Sequence, residues 1–134
     1  MIRYQQLTKD DMTGVKRLYE QMGWTAYLGD DDRLYRAWDR SLFALGAFDG
    51  DNLIGFIRCL GDGEHTVLIQ DLIVAEEYHK QGIGKTLMEA VFQVYADVRQ
   101  RFVVTDVNSP AAGFYRSLGM NPFEEGGLLA FFKL

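Results

Sequence analysis

The chain has 134 residues, 48% hydrophobic and 25% charged, enough for one domain (1–134) with a real core and too apolar for a disordered chain. Its formal net charge of −5 lacks the global basic field that non-specific nucleic-acid binding needs. One cysteine, Cys59, excludes an internal disulfide, and with only His65 and His79 as imidazoles no ligand spacing for a transition metal exists, so no metal is expected.

No apolar run approaches ~18 residues and the first residues lack a signal-peptide core, so a soluble, cytoplasmic protein is expected. Neither nucleic acid nor membrane is expected as a partner, and a homodimer is left open by the sequence.

Residues 2–7 read as a first strand. Thr8 and Asp11, a hydroxyl and a carboxylate three residues apart, resemble a capping box. Met12, Val15, Leu18, Tyr19 and Met22 then recur at helical spacing, and Gly23 stops the helix. Asp30, Asp31 and Asp32 place negative charge at the start of a second helix, whose stripe is Leu34, Trp38 and Leu42.

Residues 43–48 and 53–60 read as strands joined by the turn residues Asp49-Gly50-Asp51-Asn52. The next strand, 66–74, is apolar on both faces and belongs inside a sheet. A long helix over 82–97 follows, with Ile83, Leu87, Val91, Val94 and Tyr95 on one stripe. A strand over 102–107, a short helix ending at Gly119 and a closing strand over 128–134 complete the order β-α-α-β-β-β-α-β-α-β.

The most informative segment is His79-Lys80-Gln81-Gly82-Ile83-Gly84-Lys85-Thr86, between the apolar strand and the long helix. Glycines there let backbone N–H groups approach an anion, and the helix adds its unpaired donors and dipole. Lys80 and Lys85 supplement the charge, so the segment suits a pyrophosphate. A P-loop requires glycine where His79 stands, and the dinucleotide fingerprint requires glycine where Leu87 stands. Neither nucleotide motif fits.

Asp71-Leu72-Ile73-Val74 followed by Glu77-Tyr78-His79-Lys80-Gln81-Gly82-Ile83-Gly84 resembles motif A of the GNAT superfamily of N-acetyltransferases, Q/R-x-x-G-x-G/A, with His79 at its first position. Asn108-Ser109-Pro110-Ala111-Ala112-Gly113-Phe114-Tyr115-Arg116-Ser117-Leu118-Gly119-Met120 resembles motif B, with Met120 in place of an aromatic. Both motifs stand in the family's order and together span about half the chain. The resemblance implies an α/β fold with a mixed twisted sheet flanked by helices, whose central strands, 66–74 and 102–107, are parallel and splay apart.

The resemblance also implies acetyl-CoA as co-substrate and an amine as acceptor, hence an acyltransferase. Carried over by position, backbone groups of Ile73 and Val74 would bind the pantetheine arm. N–H groups of Gln81, Gly82, Ile83, Gly84, Lys85 and Thr86 would cradle the pyrophosphate, and Asn108 and Tyr115 would lie near the pantetheine and sulfur. Tyr115 would return a proton to the departing thiolate, although it also falls on an apolar helical stripe and has a packing role open to it.

Asp71 stands out on its own, because a carboxylate in an apolar strand must face a partner, water or ligand. It is the leading candidate for a base or for positioning the amine, with a satisfied structural carboxylate as the other reading. Cys59 has no adjacent catalytic partner, which favours direct attack in a ternary complex over an acyl-enzyme. Acceptor selection is assigned to 24–40, where Trp24, Tyr27 and Asp30 are candidate contacts for a small amine. A non-catalytic acyl-CoA sensor and an acetyltransferase of protein N-termini or lysines are the alternatives.

Overall fold

Thr8 opens the first helical segment as a capping box: its Oγ1 accepts the Asp10 N–H, and the Asp11 carboxylate accepts the Thr8 N–H at 2.9 Å. A short 3₁₀ turn runs directly into helix α1, Met12–Met22. Met12, Val15, Leu18 and Tyr19 are buried on one stripe, whereas Met22 at the helix end is exposed. Each such side chain contributes roughly 1.5–3 kcal/mol when taken fully from water. Gly23, at φ +74, closes the helix in the left-handed conformation that glycine adopts without steric cost.

The computed structural model describes Met1–Leu134. Helix α2, Asp31–Asp39, follows α1. Strands β1 (Ile2–Gln6), β2 (Phe43–Asp49), β3 (Asn52–Gly61), β4 (Thr66–Val74) and β5 (Gln100–Val103) form one sheet in the order β1-β2-β3-β4-β5. The first three pairings are antiparallel, and β4 with β5 is the single parallel pair. Helix α3, Ile83–Val94, makes the crossover between those parallel strands. Its Ile83, Leu87, Met88 and Val91 are buried, and Val94 is exposed.

The two faces of the sheet carry different helices. Phe56 of β3 meets Tyr19 of α1 and Trp38 of α2, whereas Phe43, paired with Cys59, meets Tyr95 at the end of α3. Successive strand residues alternate faces, so Arg58 lies on the α1 and α2 side and Cys59 on the α3 side.

A bulge in β4 decides where Asp71 points. Cys59 pairs with Ile69 but Arg58 pairs with Asp71, which leaves Gln70 as the extra residue. Without it, Asp71 would share a face with Ile69 under α3. The bulge instead turns Asp71 to the face that carries Arg58. The parallel pairing with β5 also stops at Ile69, one residue before the bulge, while β4 continues to Val74 with a ladder only to β3.

The chain divides into two compact units, Met1–Val103 and Val104–Leu134. The second holds helix α4, Ala111–Ser117, and a 3₁₀ turn at Phe123–Gly126. Two expectations change there. The strand expected over 102–107 ends at Val103, and 128–134 forms no strand at all, although its apolar pattern predicts one. A strand exists only with a ladder partner, and none in this chain pairs with that segment. In consequence β5 is the outermost strand of the sheet and not a second central one.

Candidate active site

Gly82 adopts φ +80 and stands immediately before α3, with open space where a Cβ would be. The first helical bond runs from the Thr86 N–H to the Gly82 carbonyl at 3.0 Å, and the Thr86 hydroxyl donates to the same carbonyl. The N–H groups of Ile83, Gly84 and Lys85 precede that bond and have no helical acceptor. Gln81, Gly82, Lys85 and Thr86 are exposed, Gly84 is half-buried, and the Ile83 side chain anchors the turn in the core. Lys80, at φ +64, precedes them in the left-handed region that non-glycine residues seldom adopt. Such a turn offers an anion several oriented donors together with the helix dipole.

The open edge of β4 leads into this turn. The Ala75 N–H donates to the Ile54 carbonyl at 2.8 Å, and antiparallel alternation from that bond turns the Ile73 backbone toward β3. Val74 and Leu72 therefore direct their backbone groups to the other edge. The His79 ring approaches the Val74 carbonyl at 2.7 Å, which ties the end of β4 to the turn. Ile73 itself is buried and pairs with Phe56 of β3, whereas Leu72 and Val74 present their backbone groups at the open edge.

Asp71 sits in a closed cluster. Its carboxylate accepts from Tyr19 Oη at 2.6 Å, Tyr27 Oη at 2.7 Å and Arg58 Nε at 2.7 Å. Asp71 is 2% exposed and Arg58 3%. The guanidinium also donates to Ser41 Oγ at 3.2 Å and lies over the rings of Tyr27 and Trp38. Burial opposes the Arg58 charge, but Asp71 beside it more than compensates, so its pKa is raised. Burial and then the Asp71 charge push the Tyr19 hydroxyl far above its ordinary range. Tyr27 stacks on Tyr19 with centroids 4.2 Å apart and receives a bond from Gln70, the bulge residue, at 3.1 Å.

Arg58 was open to detection by the same reasoning that singled out Asp71. It is the only charge in the otherwise apolar run of β3, and two opposite charges on adjacent buried strands need each other. Tyr19 falls on the apolar stripe of α1, and its ring packs in the core while its hydroxyl serves Asp71.

The 24–40 segment divides similarly. Trp24 is half-buried and tilts against Tyr19 at 6.4 Å. The Asp30 carboxylate accepts the Arg33 N–H at 3.1 Å and so caps α2, and Asp31 pairs with Lys16 at 2.9 Å. Cys59 is fully buried, and burial pushes its thiol up to about 12, which withholds the thiolate a nucleophile requires.

In the 104–134 unit, Asn108 is exposed on the turn closed by the Ser109 N–H on the Asp106 carbonyl. Ser109 Oγ accepts the Ala111 N–H at the start of α4, and Arg116 pairs with Glu125 at 2.6 Å. Tyr115 is half-buried beside Phe114, and burial alone raises its pKa above the ordinary tyrosine value.

A mixed sheet with one parallel pair, a bulged strand and a glycine turn opening the crossover helix make this an α/β protein with an anion-binding type of turn following its apolar strand β4. An acetyltransferase of the GNAT family from Streptococcus pneumoniae TIGR4, SP0256, is 32% identical with a TM-score of 0.85, over 100% of this chain and 96% of that one. AAC(6')-Iy, solved with the bisubstrate analog CoA-S-monomethyl-acetylneamine, is 19% identical with a TM-score of 0.79, over 100% and 98% of the two chains. The aminoglycoside acetyltransferase meta-AAC0020 from an uncultured soil metagenomic sample, solved with sisomicin, is 21% identical with a TM-score of 0.75, over 99% and 95%. The two aminoglycoside enzymes share the fold. A search of curated proteins gave no match. The Acetyltransferase (GNAT) family matches residues 9–120, and the chain belongs to that family.

Proposed function

We propose that the protein is an N-acetyltransferase that moves the acetyl group of acetyl-CoA to a small-molecule amine by direct attack in a ternary complex. The carrying observation is the turn at Gly82, which opens α3 with the Ile83, Gly84 and Lys85 N–H groups unbonded to the helix. These donors suit a pyrophosphate, and the edge of β4 at Leu72 and Val74 suits an amide-bearing arm laid beside a strand. Gln81, Lys85 and Thr86 flank the phosphates, and Asn108 is a further cofactor contact. The family match runs from 9 to 120 and so supports reading both units as one functional domain.

In the reaction, the neutral amine nitrogen attacks the thioester carbonyl carbon, the C–S bond breaks, the sulfur receives a proton, and the proton shed by the nitrogen passes to water, from which the donor is reprotonated. Tyr115 gives the sulfur its proton. Its position in motif B supports the role, and its hydroxyl, the pKa of which burial raises, is protonated at neutral pH. Asp71 acts as the buried counter-ion of Arg58, which favours a positioning role over that of a base exchanging protons with water. Trp24 and the ring of Tyr27 wall the acceptor. The Asp30 carboxylate caps α2, and its remaining charge is left to attract the amine at longer range.

A panel of small amines, assayed for free thiol released from acetyl-CoA, tests this reading. Turnover with at least one amine is expected. CoA binding without thiol release for any amine would make the protein a sensor, and acetylation of protein N-termini or lysines alone would sink the small-amine assignment.

A further inference from the structure

The bulge residue Gln70 touches the Asp71 cluster and also stands where β4 loses its neighbour. The ladder between β4 and β5 ends at Ile69, so Gln70 is the first residue of the open edge. That edge runs on to Val74, about 13 Å at 3.3 Å per residue. In the proposed function the cofactor arm lies along this edge with its phosphates at the Gly82 turn. The arm runs away from the turn, so its thioester comes to the closed end of the edge, beside Gln70.

The hydrogen bonds of the cluster fix how Gln70 presents its amide. Asp71 is the counter-ion of Arg58, and a carboxylate only accepts. The single proton of the Tyr27 hydroxyl is therefore committed to Asp71 Oδ1, at 2.7 Å. The Tyr27 oxygen is left to accept, from Gln70 Nε2 at 3.1 Å and from Arg58 Nη2 at 3.5 Å. The Gln70 atom that faces Tyr27 must be its nitrogen, because the amide oxygen has no proton to give. Gln70 Oε1 is thus turned away from Tyr27. Gln70 is exposed, and that oxygen has no partner within the chain. The oxygens of Asp71 and Tyr27 are engaged, and Gln70 Oε1 is the acceptor the network leaves open.

An acceptor at the thioester end calls for a donor on the incoming group. As the amine nitrogen bonds to the carbonyl carbon it becomes positively charged, and its N–H groups become charge-assisted donors. A bond to Gln70 Oε1 is then stronger in the transition state than in the bound substrate, so it acts on kcat more than on KM. A neutral amide does not take the proton, so the hydrogen held by Oε1 stays on the nitrogen and ends in the product amide. A second hydrogen must be shed to water. A primary amine carries both, and a secondary amine carries one.

We propose that Gln70 Oε1 accepts an N–H of the attacking nitrogen and selects primary over secondary amines. This role depends on the acetyl transfer proposed above and adds to it the class of amine.

The test compares the amine that the wild type turns over best with its N-methyl derivative, in the wild type and in Gln70→Met. Methionine is of similar length, and its thioether is only a weak acceptor. For the primary amine kcat should fall about tenfold or more. KM for acetyl-CoA and the urea midpoint should stay close to wild type, because the side chain is exposed. For the N-methyl amine kcat should fall less, so the preference for the primary amine narrows. An unchanged kcat in Gln70→Met would overturn the proposal, as would a secondary amine as the best substrate of the wild type. An equal fall for both amines would overturn it too, since the variant would then only loosen the cluster around Tyr27. Each of these outcomes leaves acetyl transfer by the wild type intact. No thiol release by the wild type with any amine would instead remove the acetyltransferase reading, and this role with it.

Discussion

Asp71 and the Gly82 turn are separated by a few residues of one strand and loop, yet they are opposites. The carboxylate is enclosed, with three donors on it and almost no solvent. The turn is exposed and its amide donors are left open. A polar group already satisfied by its own protein holds a structure together, whereas one left unsatisfied at a surface is available for a ligand. The contrast divides the motif region into a frame and a binding element.

The largest effect is expected from breaking the frame. Asp71→Asn leaves the Arg58 guanidinium buried without its counter-charge, which should cost roughly 3–5 kcal/mol. The measurement is the urea midpoint, taken beside turnover. A variant with the wild-type midpoint and lost turnover would reverse the contrast and restore Asp71 as a base. Asp71→Glu, which keeps the charge, should recover part of the midpoint.

Tyr115→Phe removes the proposed proton donor and keeps the ring. A fall in kcat of roughly 10²-fold is expected, with folding and CoA affinity unchanged. The sign with pH follows from the raised pKa: the acid is protonated at neutral pH, so its contribution is lost as alkaline pH removes its proton. The variant should lose that alkaline limb. Activity near wild type would reduce Tyr115 to a packing residue.

How much was legible in advance follows the same division. The helix stop at Gly23, the capping box at Thr8 and the glycine turn rest on local backbone chemistry, and each stands where its residues predicted it. The facing of Asp71 rests on a single extra residue, Gln70, in the register of two strands, and no periodicity within β4 encodes it. Its partners Tyr19, Tyr27 and Arg58 come from three elements distant in sequence. The segment 128–134 has a strand's composition, but a ladder also needs a partner, which composition does not specify.

Gly82→Asp probes the binding element. No atom lies within 4 Å of the added Cβ, so the cost to folding is confined to the left-handed backbone, which aspartate tolerates better than most residues. The new negative charge stands where an anion is proposed. CoA affinity by calorimetry should fall at least about tenfold, or 1.4 kcal/mol. Unchanged affinity would move the phosphates elsewhere.

The smallest effect should come from Tyr27→Phe, which touches both halves of the contrast. Its hydroxyl donates to Asp71 and accepts from Gln70, so it links the segment after α1 to the bulge of β4. Removing it leaves Tyr19 and Arg58 on the carboxylate, and Tyr27 is only half-buried, so water can replace part of what is lost. A loss of about 0.5–1.5 kcal/mol in the urea midpoint is expected, the range for one ordinary hydrogen bond. The ring remains in place to wall the acceptor, and the hydroxyl is already engaged, so KM for an amine should stay near wild type. A several-fold rise in KM at an unchanged midpoint would show that the hydroxyl binds the amine directly. It would then belong with the open donors of the turn and not with the closed cluster around Asp71.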